Sequence, residues 1–216
     1  ATNTLAVTSV DGAKTWKNSD GTAYTGYKPA LTVRLWQTDA ASNRVLFTSA
    51  NFAANATDYA YHFTGLPRYD ANGASYTYAV DEVAIGHFTA AVTGANLQNT
   101  LDGTSVKVTK NWDNGDYTGA ALTRPSVTVY LLNGVDKTTV ANNAGSFTFG
   151  GVSGNTESHT FENLPAGYFT AAGVYTPYTY TVYEASPFKG YTLTSTTGSA
   201  ATGFTLVNRL NTVSVS

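Results

Sequence analysis

The sequence predicts an all-β protein made of two antiparallel β-sandwiches in tandem, and three observations lead to this fold class. Apolar runs such as LTVRLW (31–36) and YTYAVDEV (76–83) are short, alternate with polar residues and are rich in Thr, Tyr and Val. No long amphipathic helical pattern occurs, although short helical turns are expected around residues 50–57. The chain also repeats itself at a spacing of about one hundred residues, which suits an array of separate domains.

The repeat is visible by direct alignment of the chain with itself. AKTWKNSDGTAYTGYKPALTVRLW (13–36) aligns without a gap with TKNWDNGDYTGAALTRPSVTVYLL (109–132), an offset of 96 residues. Three later pairs of segments match at offsets that grow to 109: HFTGLP with TFENLP, YTYAVDEV with YTYTVYEA, and QNTL with VNRL. The offset grows only between apolar segments, as insertions into surface loops would cause.

The repeat predicts one domain over residues 1–103 and a second over residues 104–216. Residues 1–5 resemble the tail of a preceding copy, because Asn3 stands 96 residues before Asn99. We therefore expect the sequence to be part of a longer tandem chain.

Composition narrows the classes of function. Net charge is −2 and the pI is about 5.9, so no basic stripe is available for nucleic acid or for a membrane surface. No apolar run is long enough for a spanning helix. Cysteine is absent, which excludes thiolate zinc sites, thiol catalysis and disulfides, and methionine is absent too. A chain without either sulfur residue suits an oxidising, extracellular location, and we expect no cofactor.

The strand VKVTKNW (106–112) contains an oddity. Strand side chains alternate between two faces, so Val106, Val108, Lys110 and Trp112 share one face. A lysine on an apolar face is costly unless a partner meets it inside the domain.

Two other strands in each copy also end an apolar face with one polar residue. In the second copy these residues are Glu184 in YTYTVYE and Asn208 in FTLVN. The first copy has Lys14, Glu82 and Asn99 at the corresponding positions. Each core is therefore predicted to contain one Lys, one Glu and one Asn, which can satisfy one another.

This pattern has two interpretations. The first is a buried Lys–Glu ion pair with a hydrogen bond from Asn, which proteins tolerate. The second is chemical, because desolvation lowers the pKa of Lys and raises that of Glu, so that a neutral amine can coexist with a protonated acid. The amine could then attack the Asn carboxamide while the acid polarises the carbonyl, giving a Lys–Asn isopeptide bond and ammonia.

The order of motifs in the second copy resembles a known family. VKVTKNW is followed by RPSVTVYL (124–131), FENLP (161–165), YTYTVYE (178–184) and a closing strand with Asn208. This set resembles the Cna protein B-type repeat domain of Gram-positive collagen adhesins and pilins, and the resemblance covers nearly all of both copies. It implies an immunoglobulin-like sandwich of reverse topology in which the first-strand Lys and last-strand Asn are joined autocatalytically with help from the Glu.

The resemblance implies two cross-links, each with its assisting carboxyl group: Lys110–Asn208 with Glu184, and Lys14–Asn99 with Glu82. Such a reaction happens once per bond, so the protein is not expected to be an enzyme in the usual sense. The first copy departs from the pattern, because Asp11 and Gly12 stand where the second copy has Lys107 and Val108. Its opening strand is therefore expected to be weaker and to carry a bulge.

Other candidate sites are weaker. DNGD (113–116) and NSDG (18–21) have oxygens that could meet calcium, but they lack the ligand spacing of an EF-hand and are predicted to be turns. The three histidines are scattered, so no metal site or catalytic triad is expected from them. The fifteen tyrosines could form a sugar-binding platform, although alternation along strands favours packing.

The predicted function is a structural stalk segment of a cell-wall-anchored surface adhesin or pilus-like protein, held to the wall by another region. The alternative is an adhesin module that itself binds a host matrix protein or glycan. A third interpretation, an accessory domain of a secreted enzyme, requires a catalytic domain elsewhere. The expected partners are neighbouring repeats of the same chain and, through another region of the protein, a host extracellular matrix protein or glycan. The fragment is expected to be a monomer.

Overall fold

The computed structural model describes residues 5–133, 143–151, 154–185 and 190–212, and every regular element in these ranges is a strand. The first copy contains seven strands: β1 (Val7–Lys17), β2 (Leu31–Thr38), β3 (Arg44–Phe52), β4 (Ala60–Pro67), β5 (Thr77–Glu82), β6 (Phe88–Thr93) and β7 (Asn96–Leu101). The described part of the second copy contains nine: β8 (Gly103–Asp113), β9 (Val127–Asn133), β10 (Asn143–Phe149), β11 (Thr156–Pro165), β12 (Gly167–Phe169), β13 (Tyr175–Pro177), β14 (Tyr180–Glu184), β15 (Tyr191–Ser199) and β16 (Gly203–Leu210).

Within the described ranges, each copy has one four-stranded and one three-stranded sheet, and corresponding strands follow the same order. In the first copy the orders are β4-β1-β7-β6 and β3-β2-β5. In the second they are β11-β8-β16-β15 and β10-β9-β14, and β12 and β13 form a separate two-stranded sheet. The all-β prediction and the tandem repeat are therefore confirmed. Among the described residues, no helix is long or apolar enough to cross a membrane.

The first and last long strands of each copy lie side by side and run parallel, while the other pairs within the four-stranded and three-stranded sheets are antiparallel. Thus β1 pairs with β7, and β8 pairs with β16. Parallel neighbours cannot be joined by a tight hairpin, so the remaining strands of the copy lie between them in sequence. Residues at the two ends of each copy are thereby brought next to each other.

Two local expectations for the first copy had different outcomes. The helical turns expected around 50–57 are wrong, because residues 50–52 end β3 and a turn with Asn55 at a φ of 54° follows. A bulge is present in β1, where the register shifts between Thr8 and Val10. Gly12 follows the bulge, and a Cβ there would lie 1.9 Å from the carbonyl oxygen of Ala95, so only glycine fits this contact.

Each copy has its own apolar core. The inward positions of β8 and β9 are fully buried, including Val106, Val108, Val127 and Val129. The chain forms two compact units, residues 1–102 with 167–176, and residues 103–166 with 177–216. The domain boundary between residues 103 and 104 stays a prediction.

Candidate functional site

A fully buried polar cluster lies in the core of the second copy. Lys110 on β8, Glu184 on β14 and Asn208 on β16 all have side chains out of contact with solvent. Lys110 Nζ lies 3.0 Å from Glu184 Oε2, although the angle between them is not that of a hydrogen bond. Asn208 Nδ2 donates a hydrogen bond of 2.6 Å to Glu184 Oε1. Glu184 therefore contacts both the amine and the carboxamide.

The first copy contains the corresponding cluster with a different set of bonds. Lys14 Nζ donates a hydrogen bond of 2.5 Å to Glu82 Oε2, and both side chains are almost completely buried. Asn99 is 1% exposed, and neither its Nδ2 nor its Oδ1 has a hydrogen-bond partner within the described ranges. Glu82 therefore contacts the amine of Lys14 but does not hydrogen-bond to the carboxamide of Asn99.

The parallel strand pair sets the position of lysine relative to asparagine. In the second copy Lys110 is opposite Leu206 and Asn208 is opposite Trp112. Lys110 and Asn208 are therefore two residues out of direct register, and period-two alternation puts both on the inward face. The first copy repeats the arrangement: Lys14 is opposite Leu97 and Trp16 is opposite Asn99.

The glutamate reaches each cluster from the facing sheet. Glu184 is opposite Val129 on β9, and Glu82 is opposite Val33 on β2. Both glutamates are the last residues of their strands. Because each carboxylate contacts a lysine of the other sheet, it crosses the core between the two sheets. Three strands from two sheets must therefore pack together before the cluster exists.

The surroundings of each lysine are apolar and aromatic. Lys110 Nζ lies 4.9 Å from the centre of the Trp112 ring, and Lys14 Nζ lies 5.3 Å from that of Trp16. Burial lowers the pKa of Lys14 and of Lys110 below the ordinary value of 10.5, and the partner glutamate partly opposes this shift, through a hydrogen bond and its charge at Lys14 and through its proximity and charge at Lys110. The protein thereby favours the neutral amine more than water does.

The arrangement brings together the groups that amide formation needs. A neutral lysine amine is a nucleophile, and an asparagine carboxamide is an electrophile once its oxygen or its leaving nitrogen is protonated. A carboxyl group that contacts both can take a proton from one and give it to the other. The purely structural interpretation, in which the cluster is a buried ion pair with an added amide hydrogen bond, accounts for the same contacts.

Arg124 is a buried charged residue whose role sequence reasoning missed. It is 2% exposed and donates hydrogen bonds to Asn114 Oδ1 at 2.8 Å, to the Tyr191 hydroxyl and to Asn155 Oδ1. Its guanidinium also lies 5.9 Å from the centre of the Trp112 ring. The available signal in the sequence was a basic residue at the same aligned position in both copies: Arg124 in the motif RPSV, and Lys28 in the first copy.

The weaker sequence candidates are engaged in local structure. Asp20 Oδ1 accepts hydrogen bonds from the backbone and hydroxyl of Thr22, and Asp113 Oδ1 accepts from the backbone of Gly115, as turn residues do. His62 lies at the surface, 2.8 Å from Asp11. Within the described ranges, no three His, Asp or Glu side chains are grouped as metal ligands.

Comparison with solved structures finds bacterial surface proteins. A single B repeat unit (B1) of the collagen-binding surface protein of Staphylococcus aureus is 24% identical, with 96% of this chain and 100% of that chain covered and a TM-score of 0.36. Two B repeat units of the same protein give 24% identity, 95% and 50% coverage and a TM-score of 0.36. The shaft pilin SpaA of Lactobacillus rhamnosus GG gives 11% identity, 97% and 100% coverage and a TM-score of 0.31.

Comparison at the sequence level gives two results. No match is found among curated protein sequences. The family model of the Cna protein B-type domain matches twice, over residues 10–100 and 106–209. The two matches cover most of the chain and contain both polar clusters.

Proposed function

The chain belongs to the Cna protein B-type domain family, and from this premise we propose that it is a stalk segment of a bacterial surface adhesin or pilus-like protein. Each domain is closed by one isopeptide bond, Lys14–Asn99 in the first copy and Lys110–Asn208 in the second. The observation that carries the proposal is the recurrence of a buried Lys–Glu–Asn cluster with the same strand register in both copies. A structural ion pair alone gives no reason for the asparagine to recur at that position.

The proposed reaction is a transamidation that needs no outside reagent. Glu184 takes a proton from the Lys110 ammonium, and the free Nζ attacks Cγ of Asn208. Nζ gives up a second proton once the new C–N bond has formed, and Glu184 passes both protons in turn to Nδ2, to which its Oε1 is already hydrogen bonded. The tetrahedral intermediate collapses when the C–Nδ2 bond breaks, and the products are one secondary amide and one ammonium ion, so the protein loses the mass of one ammonia. In the first copy Glu82 takes the same role.

The position of the bond suits a load-bearing element. Because β8 and β16 are parallel neighbours, a pull between the start of β8 and the end of β16 acts along both strands in opposite directions. A covalent bond between them carries this tension directly, and the chain between Lys110 and Asn208 stays folded. Neighbouring repeats are the proposed partners along such a stalk, and the extracellular surface is the proposed location.

Intact-mass spectrometry tests the proposal. We expect the purified protein to weigh less than its sequence by one ammonia for each copy. Lys110→Ala or Asn208→Ala should restore one ammonia and leave the first-copy bond as an internal control. A wild-type mass equal to that of the sequence would reject the cross-links and leave the ion-pair interpretation.

A further inference from the structure

The turn that follows β8 in the second copy contains an asparagine followed by a glycine. These residues, Asn114 and Gly115, lie in the sequence DNGD, and Gly115 is exposed with a φ of 57°. Because glycine has no Cβ, its backbone nitrogen is little hindered from approaching the carboxamide of the preceding asparagine. Attack of that nitrogen on Cγ closes a succinimide ring and releases ammonia. The pair is therefore a candidate for self-modification.

A carboxylate contacts the nitrogen that would attack. The backbone N–H of Gly115 donates a hydrogen bond of 2.8 Å to Asp113 Oδ1, and the side chain of Asp113 is 43% exposed. An amide nitrogen is a poor nucleophile until its proton is removed, and a carboxylate in contact with that proton can accept it. Asp113 therefore has the position of a base as well as that of a turn residue.

A guanidinium contacts the carboxamide that would be attacked. Arg124 donates a hydrogen bond of 2.8 Å to Asn114 Oδ1. Negative charge develops on this oxygen as Cγ becomes tetrahedral, and a cation already bonded to the oxygen stabilises that charge. Further hydrogen bonds to the Tyr191 hydroxyl and to Asn155 Oδ1 hold the guanidinium in place. The reacting pair is thus contacted by a base at one end and by a cation at the other.

The product of the reaction would supply a counter-charge to Arg124. This arginine is 2% exposed, and its hydrogen-bond acceptors in the described ranges are two carboxamides, a hydroxyl and a backbone carbonyl. No Asp or Glu in the same part of the chain forms an ion pair with it. A buried charge without a counter-ion is costly. An aspartate at position 114 would put a carboxylate where the guanidinium now contacts an amide oxygen.

Two other asparagines have only part of this arrangement. Asn72 precedes Gly73 in an exposed turn, but the N–H of Gly73 donates to the backbone carbonyl of Asp70 and not to a carboxylate. Asn155 accepts a hydrogen bond from the same guanidinium as Asn114, but it precedes Thr156, whose branched side chain crowds the backbone nitrogen. Each of them therefore serves as an internal comparison.

The first copy has a counterpart of Asn114 in which the arrangement is absent. This residue, Asn18, precedes Ser19, and lysines stand where the second copy has the carboxylate and the guanidinium. Its Nδ2 donates hydrogen bonds to Thr22 Oγ1 at 2.9 Å and to the carbonyl of Ala23 at 3.2 Å. Of the four asparagines compared, Asn114 alone combines the glycine, the base and the cation.

We propose that Asn114 deamidates in the folded second copy through a succinimide, with Asp113 as the base and Arg124 as the stabilising cation. The nitrogen of Gly115 passes its proton to Asp113 and attacks Cγ. The C–Nδ2 bond then breaks, and the leaving nitrogen takes up that proton and departs as ammonia. One water molecule adds at Cγ, the Cγ–N bond breaks, and the peptide N–H is restored. The new acid gives its proton to ammonia, so the products are an aspartate carboxylate and an ammonium ion.

Incubation of the whole protein in H₂¹⁸O tests this site. Opening of the succinimide puts one ¹⁸O into residue 114, whereas isopeptide formation takes up no oxygen, so failure of this proposal is distinguishable from failure of the cross-links. Digestion in ordinary water and tandem mass spectrometry locate the label, and deamidation during digestion carries none. Aspartate present at position 114 before incubation, in excess of that at position 72, counts as prior reaction.

Folding should accelerate the reaction at one Asn–Gly pair and not at the other. In the folded protein, Asn114 should react at least about tenfold faster than Asn72, because only Asn114 has the base and the cation. In guanidinium chloride both contacts are lost, and the two asparagines should react at similar rates. The proposal is overturned if Asn114 reacts no faster than Asn72 in the folded protein, or no faster in the folded protein than in denaturant.

Two variants separate the base from the cation. Arg124→Lys introduces the residue of the first copy and removes the planar guanidinium, while Asp113→Ser keeps a turn acceptor at an exposed position and removes the base. Each should slow the reaction at Asn114 by about tenfold and leave Asn72 unchanged. A ¹⁹F signal from fluorotryptophan at Trp112 shows whether the second copy is folded in each variant. Folded Asp113→Ser protein that reacts as fast as wild type would overturn the proposal.

Discussion

Asn208→Ala should lower the free energy of unfolding of the second copy by about 5 kcal/mol. The proposed bond closes a loop of 208 − 110 + 1 = 99 residues. In the chain-entropy model used for disulfides, a loop of about 100 residues is worth roughly 4.7 kcal/mol. The variant also loses the packing of the Asn208 side chain, but it keeps the Lys110–Glu184 pair and therefore leaves no unpaired buried charge. The loss is a large share of the roughly 5–15 kcal/mol of a typical domain.

The three tryptophans allow each copy to be followed separately. Trp16 and Trp36 report on the first copy and Trp112 on the second, so fluorotryptophan labelling and ¹⁹F NMR resolve two unfolding transitions in guanidinium chloride. Asn208→Ala should move only the Trp112 transition to lower denaturant. Asn99→Ala is the matched control and should move only the transitions of Trp16 and Trp36.

A small effect would refute this reasoning. If the wild-type mass is short of two ammonias, yet Asn208→Ala lowers the free energy of unfolding of the second copy by only about 1 kcal/mol, the bond does not act through chain entropy. A shift of all three tryptophan transitions together would instead show that the two copies unfold as one unit.

Three further predictions concern the second copy. Glu184→Gln keeps the side-chain volume but removes the proton carrier, so the mass deficit should fall from two ammonias to one; an undiminished deficit would assign catalysis to another group. Lys110→Ala should release about a hundred residues at roughly 3.3–3.6 Å each in single-molecule stretching, and equal lengthening of the wild-type second copy would contradict the load-bearing role. In Asn208→Ala, Lys110 keeps an amine whose pKa burial lowers, so the unfolded state binds more protons than the folded state between that pKa and 10.5. The free energy of unfolding should therefore rise with pH in this window relative to wild type, and denaturant titrations between neutral pH and about pH 10 check it.

The sequence alone determined that the Lys, Glu and Asn of each cluster point into the cores, although it did not reveal the buried Arg124. Period-two alternation is a local property of a strand, so Lys110 could be put on the face of Val106, Val108 and Trp112 without knowledge of any other strand. The internal repeat then transferred the same prediction to the first copy. The glycine at position 12 was also visible in the sequence as a departure from the second copy, but the reason for that glycine was not.

Only the tertiary structure decided which of these residues meet and through which atoms. The parallel pairing of β8 with β16, and the reach of Glu184 from the facing sheet, join residues distant in sequence, and no local pattern encodes the register between them. The same holds for Gly12, which is required by the carbonyl of Ala95 on a neighbouring strand. Side-chain contacts such as those of Arg124 depend on several strands packing at once. Alternation fixes the direction of a side chain, whereas its partner is fixed by the packing of elements that the chain brings together only when it folds.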